Sequence, residues 1–145
     1  MRWPTGRRNS SLPASPMHST PQLVFVYGTL RRGGSNHFRM AGAEFLAPGT
    51  VMGRMYKIDW YPGLVIDDAG DEIHGEVFSI GPELLGELDV FEGVSAGEVE
   101  NSDYRRVPVT VVLQDSRTVM AWVWEWLGQF DELSRVREGD WLKSE

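Results

Sequence analysis

Apolar residues alternate with polar ones along most of this chain and recur every three or four residues along one short stretch, a contrast that predicts strands around a single good helix. Leu23 to Val26 is a continuous apolar run that reads as a buried strand. Gly28 breaks it, so that the backbone N–H groups of Tyr27-Gly28-Thr29-Leu30 can turn inward as donors for an anion or a carbonyl. Ser35 is placed to cap a short helix reaching about Ala43, with Phe38 and Ala41 or Gly42 facing inward. From Glu44 to Ile58, Pro48, Gly49 and Gly53 interrupt β-branched and aromatic residues, which predicts two strands or one bent strand with the sharp curvature of a small barrel. Trp60 to Gly63 turns into a short strand ending at Ile66, and Asp67 to Asp71 is a hairpin-type loop. Ile73 to Ile80 then alternates Ile73, Gly75, Val77 and Ser79 against His74, Glu76, Phe78 and Ile80.

Gly81-Pro82-Glu83 opens the helix, with proline and an acid in its first turn. Leu84, Leu88 and Phe91 form its stripe, Leu85 widens it, and Glu83, Glu87 and Asp89 are expected away from it. Gly93 is the stop signal. Glu92 therefore falls in the last turn, where the negative end of the helix dipole, and burial, raise a carboxylate pKa. A polar loop follows from Val94 to Asp103, then strands Tyr104–Leu113 and Thr118–Trp126, the second with Trp122, Trp124 and Trp126 on one face. In the tail, Phe130 to Leu142 offers a short helix, and Gly139-Asp140-Trp141 reads as a latch onto the barrel. No internal repeat is present.

With 145 residues, 41% of them hydrophobic, the chain can bury one substantial core, so a single α+β domain over residues 21–145 is expected. Residues 1–20, rich in Arg, Ser and Pro, read as a disordered extension without the apolar core of a secretory signal. The absence of cysteine excludes thiolate nucleophiles, disulfides and zinc–thiolate sites. The three histidines stand far apart with no i, i+4 pair, so no metal is expected, and nothing implies a cofactor. The net charge is −7, and the first twenty residues carry three arginines and no acid, so the remainder is more acidic still. Such a surface repels nucleic acid. No stretch approaches a membrane span, and a cytoplasmic location is expected. The sequence leaves the oligomeric state open.

A glutamate before a glycine at a helix end is ordinarily a solvated carboxylate, and His74 reads as a strand-face residue. Arg31 and Arg32, on a loop, read as solvent-facing. What draws attention to Glu92 is its pairing with the donor loop Tyr27–Leu30, which together suggest a substrate cradle with one acid/base group.

These segments, in order, resemble the γ-glutamylcyclotransferase-like superfamily, and within it the AIG2-like, γ-glutamylamine cyclotransferase branch. The resemblance spans Leu23 to Trp141. It rests on VYGTLRRG (Val26 to Gly33) with Asn36 and His37, YPGLV (Tyr61 to Val65), HGEVF (His74 to Phe78), LDVFEG (Leu88 to Gly93), YRR (Tyr104 to Arg106), WVWEW (Trp122 to Trp126) and the terminal GDW. It implies a compact fold around a small curved mixed sheet or barrel with a few short helices, a pocket floored by the loop, and an essential glutamate at Glu92. It also implies a small-molecule γ-glutamyl substrate, cyclised to 5-oxoproline with release of the attached amine. Glu92 is then the catalytic residue, with Tyr27, Gly28, Thr29, Leu30 and Tyr104 binding substrate. The alternatives are a non-catalytic small-molecule binding module of the same fold, and amide hydrolysis with Glu92 activating water. Two departures flank the expected pocket: a longer loop between Gly93 and Tyr104, and Trp124 where a tyrosine is common. Glu98, Glu100 and Asp103 suggest that this loop is an acidic lid favouring cationic leaving amines.

Overall fold

A computed structural model of the protein describes residues 20–94 and 103–144; residues 1–19, read above as an extension, and residues 95–102 of the acidic loop lie outside the described residues. Six strands form one mixed sheet: β1 (Gln22–Val26), β2 (Glu44–Lys57), β3 (Pro62–Ile66), β4 (Asp71–Ile80), β5 (Tyr104–Leu113) and β6 (Thr118–Trp126). β1 runs antiparallel to β4 and parallel to β6. The hairpin β5–β6 returns to β2 at Gly49–Leu113 and Thr50–Val112, closing five strands in the order β2-β4-β1-β6-β5. No described helix is long and apolar enough to cross a membrane.

Of the two readings of residues 44–58, one bent strand is the one found. β2 has an irregularity between Phe45 and Ala47 and pairs with β4 up to Gly53, where it also begins to pair with β3. A side chain at Gly53 would stand 2.7 Å from the Val65 carbonyl oxygen, so glycine is what lets the two ladders meet there.

Alternation along the strands sorts side chains into two cores. Phe25, Val51, Met55, Leu64, Ile73 and Val123 fill the barrel. On the outer face, Val24, Val26, Phe78, Ile80 and Trp124 pack with Leu85 and Leu88 of α1 (Pro82–Phe91). β1 and β4 are thus buried on both faces, which accounts for the unbroken apolar run at Leu23–Val26. Full burial of an aliphatic or aromatic side chain contributes roughly 1.5–3 kcal/mol, so the two cores dominate stability. The three indoles of β6 lie on the outer face, with Trp124 fully buried and Trp122 and Trp126 at its margins.

Three sequence expectations are corrected. The helix after Ser35 is only a 3-10 turn, His37–Met40, entered through Asn36. A single turn with about three residues per turn presents one inward position, and Met40 takes it; Phe38 is exposed, as are Ala41 and Gly42. Arg31 does not face solvent. Its Nη1 donates to Asp140 Oδ1 at 2.8 Å, and Glu76 lies beside it at 3.9 Å. The tail causes this: Gly139 (φ +66) accepts from the His74 N–H at 2.8 Å, and Trp141, buried in the barrel core, opens the four-residue helix α2 (Trp141–Ser144), so the latch carries Asp140 onto the loop. Arg32 is half exposed, yet its guanidinium lies over the Phe45 ring and its N–H donates to Glu76.

Two glycines make opposite predictions. A methyl group at Gly75 would meet the Phe25 ring at 2.5 Å and press on the Val26 carbonyl, whereas one at Gly86 of α1 meets nothing within 4 Å. Gly75→Ala should lower unfolding stability by about 1–3 kcal/mol. Gly86→Ala should raise it by about 0.5–1 kcal/mol, both read from urea denaturation midpoints.

Candidate active site

The loop after β1 is shaped by its neighbours. Residues 24–30 are buried throughout, and a side chain at Gly28 would meet Pro62 Cγ at 2.6 Å, so the chain can pass beneath the start of β3 only as glycine. The loop carbonyls are occupied: Gly28 O accepts from Arg31 N–H, Thr29 O from Asn36 N–H, and Leu30 O lies 2.9 Å from His37 Nδ1. Buried Asn36 also donates from Nδ2 to Thr29 Oγ1 at 3.1 Å. By contrast, the N–H groups of Gly28, Thr29 and Leu30 donate to no other described residue. The loop therefore keeps donors for a ligand.

Across from it, α1 ends at Glu92, whose N–H still bonds to Leu88 O, and Gly93 (φ +74) turns the chain away. Glu92 lines a small cavity of about 30 Å³ with Tyr27, Gly28, Thr29, Leu30, Pro62 and Trp124. It also lines a second, more open cavity of about 190 Å³ with Thr29, Trp60, Tyr61, Phe91, Asp103 and Tyr104. Glu92 and Thr29 are common to both. No hydrogen bond or ion pair from the described residues reaches the Glu92 carboxylate. Burial without a partner, with the negative charges of Asp103 and Asp89 adding to it, pushes its pKa from the usual carboxylate range up to about 8.

All five residues expected to bind substrate thus lie on the walls shared with Glu92, but the two tyrosines have their hydroxyl protons committed. Tyr27 Oη donates to Trp124 O at 2.7 Å and accepts from Leu64 N–H at 3.3 Å; Tyr104 Oη donates to Pro62 O at 2.7 Å. Burial raises both pKa values, so both stay neutral, with Glu92 nearby adding to the shift. Each offers a ligand its ring and remaining lone pairs rather than a proton.

Sequence reading missed part of this lining. Trp60 and Tyr61 looked like turn residues, yet they form an edge-on aromatic pair at 5.0 Å beside the open cavity. Asp89 is not a solvated acid: its carboxylate accepts from Trp124 Nε1 at 2.8 Å and from Arg106 Nε at 2.9 Å. Its position three residues before Glu92 was the available signal. Among the described residues, no group of three or more His, Asp or Glu side chains is gathered in the way a metal site requires.

The family model described as gamma-glutamyl cyclotransferase, AIG2-like, matches residues 24–143. A Vibrio cholerae protein provisionally named a γ-glutamylcyclotransferase is 31% identical over 123 residues, spanning 83% of this chain and 96% of its own length. The γ-glutamylcyclotransferase family protein YtfP of Escherichia coli is 28% identical over 120 residues, 82% of this chain and 95% of its own. Among solved structures, an AIG2-like protein from Mus musculus superposes with a TM-score of 0.67 at 23% identity, covering 79% of this chain and 82% of that one, a likeness of fold. The matched span takes in the donor loop, Glu92 and the closed barrel between them, and the chain belongs to the AIG2-like γ-glutamyl cyclotransferase family.

Proposed function

We propose that the protein is a γ-glutamyl-amine cyclotransferase in which Glu92 moves the protons. The observation that carries this reading is a carboxylate without a partner among the described residues, its pKa raised to about 8, lining one cavity together with backbone donors that no described residue occupies. In the reaction, the Glu92 carboxylate takes a proton from the substrate α-ammonium. The freed amine attacks the γ-carbonyl carbon, forming the new C–N bond of the five-membered ring and a tetrahedral oxyanion. Glu92 returns that proton to the leaving nitrogen as the old C–N bond breaks, and the surplus proton of the ring nitrogen follows through the same carboxylate to the departing amine, so that 5-oxoproline keeps one N–H and the amine leaves as an ammonium. Because nucleophile and electrophile belong to one molecule, holding it folded supplies much of the rate. The N–H groups of Gly28, Thr29 and Leu30 are the candidates for stabilising the oxyanion, and Tyr27 and Tyr104 for accepting from the ammonium. The wider opening, with Trp60, Tyr61 and Asp103, receives the leaving amine; aromatic faces and a carboxylate favour a cationic one.

Mass-spectrometric detection of 5-oxoproline from a panel of γ-glutamyl amines tests the reaction, with Glu92→Gln expected to lose it by at least about a hundredfold while staying folded. Full activity in that variant rejects the role; saturable 5-oxoproline binding without turnover points to a binding module, and released glutamate to hydrolysis.

The raised pKa has a sign in two measurements. Glu92 must be ionised to accept a proton, so kcat/KM should fall tenfold per unit as pH drops below about 8. For stability, the folded carboxyl holds its proton up to about 8 while the unfolded one releases it near 4.5, so stability is present below 4.5 and lost as pH rises through 8. Glu92→Gln should therefore match wild type in thermal melts at pH 4 and exceed it at pH 9.

Asp103→Asn should reduce the kcat/KM ratio of a lysine-type over a neutral leaving amine by about two- to fivefold, the size of one exposed ion pair. Taking the ratio cancels any change in Glu92 itself.

A further inference from the structure

Trp124 touches both walls of the candidate site with different parts of itself. Its indole Nε1 donates to Asp89 Oδ1 at 2.8 Å, on the helix that ends in Glu92. Its backbone carbonyl accepts from Tyr27 Oη at 2.7 Å, at the root of the donor loop. Asp89 is held from the other side by Arg106, whose Nε reaches Oδ1 at 2.9 Å and Oδ2 at 3.1 Å, and the Arg106 guanidinium in turn lies over the Trp122 ring at 4.5 Å. Trp124 is fully buried, with Asp89 and Arg106 only partly accessible.

A helix end is ordinarily the loosest part of a helix, because its last carbonyls lack partners and terminal residues fray. α1 also leaves its C-terminus without a basic residue in the last turn. Leu85 and Leu88 hold the helix by apolar contact, which fixes its distance from the sheet but resists sliding and rotation weakly. Hydrogen bonds to both carboxylate oxygens of Asp89 are directional, and they act one turn before Glu92.

Resting on the reading of Glu92 as the proton-transfer group, we propose that Asp89, clamped between Trp124 and Arg106, is a positioning residue that sets the place of Glu92 against the donor loop. The clamp also presents a charge to it. Among the described residues, the ionisable groups near Glu92 are Asp89 on its own helix, Asp103 ahead of β5, Tyr104 on β5, Tyr27 after β1 and Tyr61 ahead of β3. Arg106 on β5 acts through Asp89, and Arg39, from the 3-10 turn, lies over the neighbouring Phe91 ring. Asp89 therefore contributes both geometry and a share of the negative potential.

Two variants separate these contributions. Asp89→Asn keeps an acceptor for Trp124 but removes the charge and leaves Arg106 uncompensated. The acid limb of its kcat/KM profile should move to lower pH by roughly half a unit to one unit, the effect of losing one nearby like charge. Trp124→Phe keeps the ring packing but deletes the donor; kcat should fall about ten- to a hundredfold with KM changed less than about threefold, the signature of misplaced catalytic geometry. A double-mutant cycle on kcat/KM should give the pair an effect well short of the product of the singles. If Glu92→Gln, run in the same series, is inactive while Asp89→Asn leaves the acid limb in place, and Trp124→Phe leaves kcat unchanged, the clamp is overturned and the Glu92 reading stands. If Glu92→Gln retains activity, it is the Glu92 reading that fails. Should Trp124→Phe lose its cooperative melt, the pH profile of Asp89→Asn alone decides.

Discussion

Strands β1 and β4 are apolar on both faces, and neither face can be left to water. One face closes the barrel; the other demands a second layer, and α1 is the amphipathic segment available to supply it. α1 follows β4 after a single intervening residue, Gly81, so it folds back over the strand it has just left, and its far end comes to rest near the exit of β1. The meeting of Glu92 with the donor loop is a consequence of this double burial. A barrel open to solvent on its outer face would not need the helix, and the carboxylate would have nothing to bury it.

The candidate site combines this packing with unequal satisfaction of its polar groups. The tyrosine hydroxyls, the loop carbonyls and the Trp124 carbonyl all find partners within the fold, so the framework is rigid. Glu92 finds none among the described residues, and the neighbouring acids Asp103 and Asp89 make its charge costlier still. Asp140, also carrying a charge in a confined setting, shows the opposite outcome: Arg31 pairs with it and holds its pKa below the usual range against the opposing effect of burial. Two carboxylates of similar chemistry thus titrate in opposite directions, because an arginine reaches only one of them.

Trp124 also explains how a barrel can tolerate a bulky indole facing its helix. A smaller or purely apolar side chain could fill the space, but it could not donate to Asp89 while its carbonyl receives Tyr27. The indole joins a packing role to a directional one. Trp60, more than half exposed, has no such tether among the described residues and stands at the edge of the open cavity.

Much was legible in the linear chain because it depends on local spacing. Period-two alternation marked the strands from β4 onward, Gly81-Pro82 and Gly93 bounded α1, and the glycine break after Val26 marked the donor loop. The short helix after Ser35 was misjudged because the capping signal of a one-turn 3-10 segment resembles that of a longer helix, and only packing shows that Met40, not Phe38, has a core to enter. The placement of Arg31 was misjudged for a different reason. Its partners Glu76 and Asp140 lie 45 and 109 residues away, and long-range pairs leave no trace in spacing. The same holds for the lining of the site: Glu92 and the loop were each recognisable, but Trp60, Tyr61, Asp89 and Trp124 become neighbours of Glu92 only after the barrel closes. Sequence alone determined which segments are strands, where the helix stops and which carboxylate stands at its end, since those follow from nearest-neighbour chemistry. Tertiary structure decided which polar groups are buried and which of them the described residues pair, because burial and pairing are properties of surfaces brought together from distant parts of the chain.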